Sequence, residues 1–212
     1  AVTSANFTLE TNKNVSTTLS AAKTGLVIGS FSVTDDGTPL TIDKFQINGS
    51  VGAGTNLIGA EIDRVAIYED VNINGLYDSC DILVPGSQKV QPTNAADITM
   101  FATGTLTLDV DNITFAKNEK RYYIVVIDTN KTIIDGRSID VEVKTVDTQT
   151  SPNTQTINSG GSTWTDDVVQ IVASQIEFVN YAPQVATGGN IANALPGTEL
   201  LRAVDDYGNI DV

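Results

Sequence analysis

Apolar and polar residues alternate with a period of two along most of this chain, and that pattern confines it to β-structure. Thr105-Leu106-Thr107-Leu108-Asp109-Val110 and Ile139-Asp140-Val141-Glu142-Val143-Lys144 alternate cleanly, as do Phe7-Thr8-Leu9 and the run from Gly29 to Val33, and Thr41-Ile42-Asp43-Lys44-Phe45-Gln46-Ile47 alternates with one break at Asp43-Lys44. Successive side chains of a strand point to opposite faces, so each run buries one face and wets the other. Turn-forming clusters separate the runs: Asp35-Asp36-Gly37, Asn48-Gly49, Asn74-Gly75, Pro85-Gly86, Asp135-Gly136 and Gly160-Gly161. No window of about 11 residues or more carries a helical stripe. Ser20-Ala21-Ala22-Lys23 and residues 190–195 have room for one helical turn each. Many short strands between such turns predict an all-β, Ig-like or Greek-key β-sandwich over residues 1–172.

The pattern weakens near residue 148. Residues 148–154 and 158–162 are poor in apolar side chains and read as loop or linker, followed by strand-like Asp167 to Val172 and Gln175 to Val179. Residues 173–212 hold too few strands for a sandwich of their own. Three roles stay open for them: completing the first sandwich, opening a second Ig-like module, or adding a strand to a neighbouring copy. The leader Ala1 to Leu9, with Val2, Ala5, Phe7 and Leu9 apolar, is a second candidate donor strand.

Composition narrows the chemistry. The 212 residues include 26 acidic and 12 basic side chains, a net charge of −14, with no histidine and one cysteine, Cys80. So acidic a chain lacks the basic stripe that replaces phosphate counterions, and it is repelled by an anionic leaflet; neither a nucleic-acid partner nor membrane attachment is expected. Without histidine there is no Ser-His-Asp or Cys-His catalysis and no imidazole zinc site. One cysteine forms no intrachain disulfide. The longest apolar run, Tyr122 to Ile127, is far short of the ~20 residues of a membrane helix. The opening Ala1-Val2-Thr3 has the form of a terminus left by signal cleavage, and five Asn-x-Ser/Thr sequons begin at Asn6, Asn14, Asn48, Asn112 and Asn130. The expectation is an extracellular or cell-surface protein of a prokaryote that is no enzyme.

One segment carries specific chemistry. In Asp70-Val71-Asn72-Ile73-Asn74-Gly75-Leu76-Tyr77-Asp78-Ser79-Cys80-Asp81, oxygen side chains occupy relative positions 1, 3, 5, 9 and 12, as Asp70, Asn72, Asn74, Asp78 and Asp81. Gly75 stands at position 6, where a calcium loop turns sharply, and the carbonyl of Leu76 would be the position-7 ligand. Calcium takes six to eight oxygens at about 2.3–2.6 Å, which alternate residues of a tight loop supply; magnesium prefers to keep its waters. Asp81 replaces the usual bidentate Glu. The competing reading is a polar Asn-Gly hairpin turn beside coincidental acids. Arg64 to Tyr68 and Ile82-Leu83-Val84 read as strands, so a site here would be a structural EF-hand-like loop on a β-framework, and no opening sensor.

Val65 to Asp81 resembles the Leu-Tyr-x-Asp-x-Asn-x-Asn-Gly-x-x-Asp-x-x-Asp stretches of prokaryotic secreted β-sandwich surface modules, and is similar to the acidic loops of thrombospondin type 3 repeats. Gly25 to Thr34 and Leu40 to Ile47 are similar to the opening strands of the former, and Ala203 to Asp211 resembles the Ala-x-Asp-x-x-Gly-Asn hairpins of bacterial and archaeal Ig-like repeats. The resemblance implies structural work in a surface layer, filament or adhesin stalk, with other copies of the chain as partners. The alternative is a calcium-dependent adhesin or carbohydrate-binding module with glycan partners. Cys80 departs from the pattern and reads as a small buried apolar residue or a contact between copies. Asp63, Asp205 and Asp206 are candidates for a second cation site, and Trp164 for a core cap or a sugar platform. The paired acids Glu69-Asp70, Asp166-Asp167 and Asp205-Asp206 read as solvated surface.

Overall fold

The computed structural model describes residues 5–9, 18–35, 40–49, 57–148, 155–156, 164–178 and 201–211. The strands in chain order are β1 (Ala5–Leu9), β2 (Thr18–Leu19), β3 (Leu26–Asp35), β4 (Leu40–Asn48), β5 (Ile62–Glu69), β6 (Ile82–Leu83), β7 (Lys89–Val90), β8 (Thr105–Phe115), β9 (Lys120–Thr129), β10 (Ser138–Thr148), β11 (Gln155–Thr156), β12 (Trp164–Val169), β13 (Gln175–Phe178) and β14 (Leu201–Val204). Among the described residues there is one α-helix, α1 (Ala95–Thr103), which joins β7 to β8, and a short 3-10 turn, Gly59–Glu61, that leads into β5.

Two sheets face each other. The first runs β1-β3-β9-β5-β6, with β7 also on β5; the second runs β2-β12-β10-β4-β8, with β11 also on β10. Among the described residues only the pairing of β2 with β12 is parallel. From β3 through β5, and again from β7 through β10, each connection changes sheet, which is how alternating strands bury one shared face. The expected all-β sandwich is the observed fold.

The core lies between the sheets. Phe31 on β3, Phe45 on β4 and Tyr123 on β9 meet there with ring centroids 5.3–5.7 Å apart. Ile62, Val65 and Ile67 of β5 and Leu106, Leu108 and Val110 of β8 extend the same cluster. Sheet one is also apolar on its outer face, where Val27, Ala66, Tyr68, Ile124 and Val126 form a second cluster with Leu83 against it. β9 is therefore buried on both faces, which explains why Tyr123 to Ile127 is continuously apolar.

The structure adds one element to the sequence reading and corrects another. Residues 95–103 are helical: Ile98, Phe101 and Ala102, spaced three and four apart, are buried at one end of the sandwich, and Asp97 lies in the first turn, where the helix dipole favours an anion. Nine residues fall below the window in which a stripe is legible. Ala21 and Ala22 form a turn, not a helical turn, with Ala22 at φ 52°. Residues 190–195, Gly160-Gly161 and the side chain of Trp164 lie outside the described residues. The tail strands β13 and β14 pair with each other, in neither main sheet.

Candidate metal-binding loop

The segment 70–81 leaves β5 and returns as β6, and it lies against the outer face of sheet one. Its start is fixed by the Asp70 N–H, which donates to the Tyr122 carbonyl of β9 at 2.9 Å. Asp70 is 5% exposed, and its carboxylate accepts from Asn74 N–H at 3.1 Å and Gly75 N–H at 2.8 Å. The first loop position thus braces the fifth and sixth. Gly75 is at φ 71° and Ile73 at φ 56°, the latter a left-handed conformation that costs a β-branched residue about 1–2 kcal/mol. Such strain persists where its surroundings over-determine the backbone, as the Asp70 carboxylate does here.

The remaining candidates converge from the other side. Asn72 and Asn74 each donate an amide N–H to Asp78 Oδ2 at 2.9 Å, and Cys80 N–H donates to Asp78 Oδ1 at 2.7 Å. These donors, the Cys80 backbone first, hold the Asp78 carboxyl below the usual aspartate range. Asp81 Oδ2 accepts from Asp78 N–H at 2.8 Å, while its buried Oδ1 has no hydrogen-bond partner. Burial pushes the Asp81 carboxyl up and the charges of Asp78 and Asp70 push it further, outweighing the Asp78 and Val71 backbone N–H groups that favour the charged form. Leu76 gives its N–H to Asn74 Oδ1 at 2.7 Å, and its side chain is exposed.

The six candidate residues therefore occupy one small loop, and the Asp81 carboxyl senses the charges of Asp78 and Asp70. In this conformation the carboxylates are engaged by backbone and amide donors. Among the described residues no three Asp, Glu, Cys or His side chains form a ready-made metal cluster. The second-site candidates have other partners: Asp63 accepts from the Asn130 amide at 2.6 Å, Asp205 from Asn209, and Asp206 from the Ser174 hydroxyl. Cys80 is exposed, which corrects the buried reading: the loop lies on the outer face, and residue 80 is on its solvent side.

An anchor that no spacing rule reveals holds the loop down. Tyr77, at position 8, lies with its ring centroid 4.7 Å from that of Tyr68. Arg64 lies over both rings, at 5.8 and 5.6 Å, and its guanidinium makes a fork to Asp128 at 2.6 and 2.9 Å. Arg64 also donates to the Tyr68 hydroxyl at 2.5 Å, and Asp128 accepts the Gly25 N–H at 2.8 Å. The Asp128 hydrogen bonds, outweighing the cost of burial, raise the Arg64 pKa still higher. Residues 64 and 128 are cross-strand neighbours of β5 and β9, a pairing that only the fold creates.

The tail is tied on by Asn209, whose amide donates to the Lys131 carbonyl at 2.7 Å and accepts from Ile133 N–H at 3.1 Å. Among the described residues no helix is long and apolar enough to cross a membrane. In comparison with known proteins, no family model and no curated protein matches the chain.

Proposed function

We propose that this protein is an extracellular structural subunit of a prokaryotic surface filament or surface layer, a calcium-stabilised β-sandwich whose partners are other copies of itself. The Oδ1 of Asp81 is the observation that carries the cation reading: a buried carboxylate oxygen that completes no hydrogen bond of good geometry, beside two further carboxylates, is costly unless a cation joins it. Two amide N–H groups already converge on Asp78 Oδ2, and rotating the Asn72 amide by half a turn presents oxygen in place of nitrogen, while the Asn74 oxygen is held by the Leu76 N–H. Asp70, Asn72, Asn74, Asp78 and Asp81 would supply side-chain oxygens and Leu76 its carbonyl. The calcium ion would offset part of the −14 charge that opposes dense packing.

Strand exchange is the proposed link between copies. β1 pairs antiparallel with β3 over Ala5↔Asp35 to Leu9↔Phe31, at the edge of sheet one, and residues 10–17 separate it from β2 in the other sheet. A short strand at a sheet edge is the kind of element that transfers to the same edge of a second copy. Negative-stain microscopy of the purified protein tests the reading: ordered filaments or sheets are expected with calcium, fraying on chelation and absent after deletion of residues 1–9. Single particles under every condition would remove the structural role.

A further inference from the structure

We propose a second, calcium-independent site: a sugar-binding depression where the tail meets the sandwich. Its volume is about 350 Å³, and its walls come from three distant segments, the turn after β2, the link from β12 to β13 and the turn after β14. That volume is at the small end of the ~300–1,000 Å³ typical of ligand pockets. The walls are held before any ligand arrives. Thr129 Oγ1 donates to the Ser20 carbonyl at 2.6 Å, Ser174 N–H to the Val204 carbonyl at 2.9 Å, and Asp205 accepts the Tyr207 N–H at 2.9 Å.

Lys23, Gln170, Ser174, Asp206 and Tyr207 line the depression. Among the described residues the Lys23 ammonium and the Gln170 amide have no side-chain partner, while Asp206 gives one oxygen to the Ser174 hydroxyl and keeps the other. Residues that carry donors and acceptors therefore line the same depression as Tyr207, which is 51% exposed. A pyranose matches this set, since its hydroxyls both donate and accept and its C–H face stacks on an aromatic ring. A neutral sugar is favoured, because Asp206 and the net charge of −14 repel an anion.

The test is an amide NMR titration of the whole chain, in chelator, with methyl mannoside, methyl galactoside and N-acetylglucosamine, each to about 20 mM, a range that detects millimolar binding. Saturable shifts from one of them, centred on residues 20–23, 170–174 and 205–207, are expected. Tyr207→Ala should weaken binding about tenfold or more, while Tyr207→Phe should stay within about threefold, since stacking needs the ring alone. Lys23→Ala, at an exposed side chain, should weaken it with the rest of the spectrum unchanged. No shift with any of the three sugars, or shifts that survive Tyr207→Ala, would overturn the proposal.

Discussion

The Tyr77 ring occupies the space that a side chain at residue 25 would need: a Cβ built on Gly25 falls 2.5 Å from Tyr77 Cδ1, and Gly25 stands at φ 72°. The loop therefore seats on the outer face of sheet one only because residue 25 has no side chain.

Gly25→Ala should destabilise the fold by about 2 kcal/mol, combining backbone strain with displacement of the ring. In a Tyr77→Ala background only the backbone part, about 1 kcal/mol, should remain. Denaturant unfolding of the two single variants and the double variant measures the coupling, and strict additivity would show that ring and glycine do not compete.

Arg64 bridges the same face to β9. Its side chain is 12% exposed and that of Asp128 15%, so Arg64→Ala leaves a largely desolvated carboxylate unpaired. A loss of about 3 kcal/mol is expected, and Arg64→Lys should recover only part of it, having no planar fork. Equal stability of the Lys variant and the parent would refute the forked, ring-stacked role.

Asp205 sets a pH response in the tail. Burial pushes its carboxyl up, but the side-chain and backbone donors of Asn209, with Tyr207 and Gly208 N–H, outweigh this and hold it below the usual aspartate range. A carboxyl depressed in the folded state adds stability that is present above its unfolded pKa and lost as pH falls through the folded one. Amide exchange at Asn209 and Ile133 should therefore accelerate only below the ordinary aspartate range, and acceleration near neutral pH would contradict the assignment.

Asp81 should behave in the opposite sense to an ordinary structural carboxylate. Because burial first, and then the charges of Asp78 and Asp70, oppose its charged form, Asp81→Asn should raise the melting temperature of the chelated protein while abolishing any rise on adding calcium. Its Oδ2 bond to Asp78 N–H is one that an amide oxygen retains. A variant that melts lower in chelator would mean that Asp81 has only a structural part.

Much of the sandwich is legible from alternation, as Leu106, Leu108 and Val110 of β8 and Ile139, Val141 and Val143 of β10 show; β4 departs from it, since its buried Ile42 and Phe45 are three apart across a register shift between Ile42 and Lys44. The loop is legible too, because its ligand spacing is local. What escapes are features set by distant residues. Helix α1 is nine residues long, and its apolar stripe, Ile98, Phe101 and Ala102, is legible only against the end of the sandwich that it covers. The Arg64–Asp128 fork joins strands 64 positions apart, and the seat of Tyr77 depends on an absent side chain at Gly25. The exposure of Cys80 follows from which side of the loop meets sheet one, and spacing does not encode that.

Isothermal calorimetry of calcium into chelator-treated protein tests the central claim most directly, paired with Asp70→Asn and Asp78→Asn. The account predicts one saturable site in the parent, none in either variant, and a stabilisation of about 2.7 kcal/mol when calcium is a hundred times its dissociation constant. Absence of a binding heat together with an unchanged melting temperature in excess calcium would contradict it, and would leave residues 70–81 as a polar turn pinned by Tyr77.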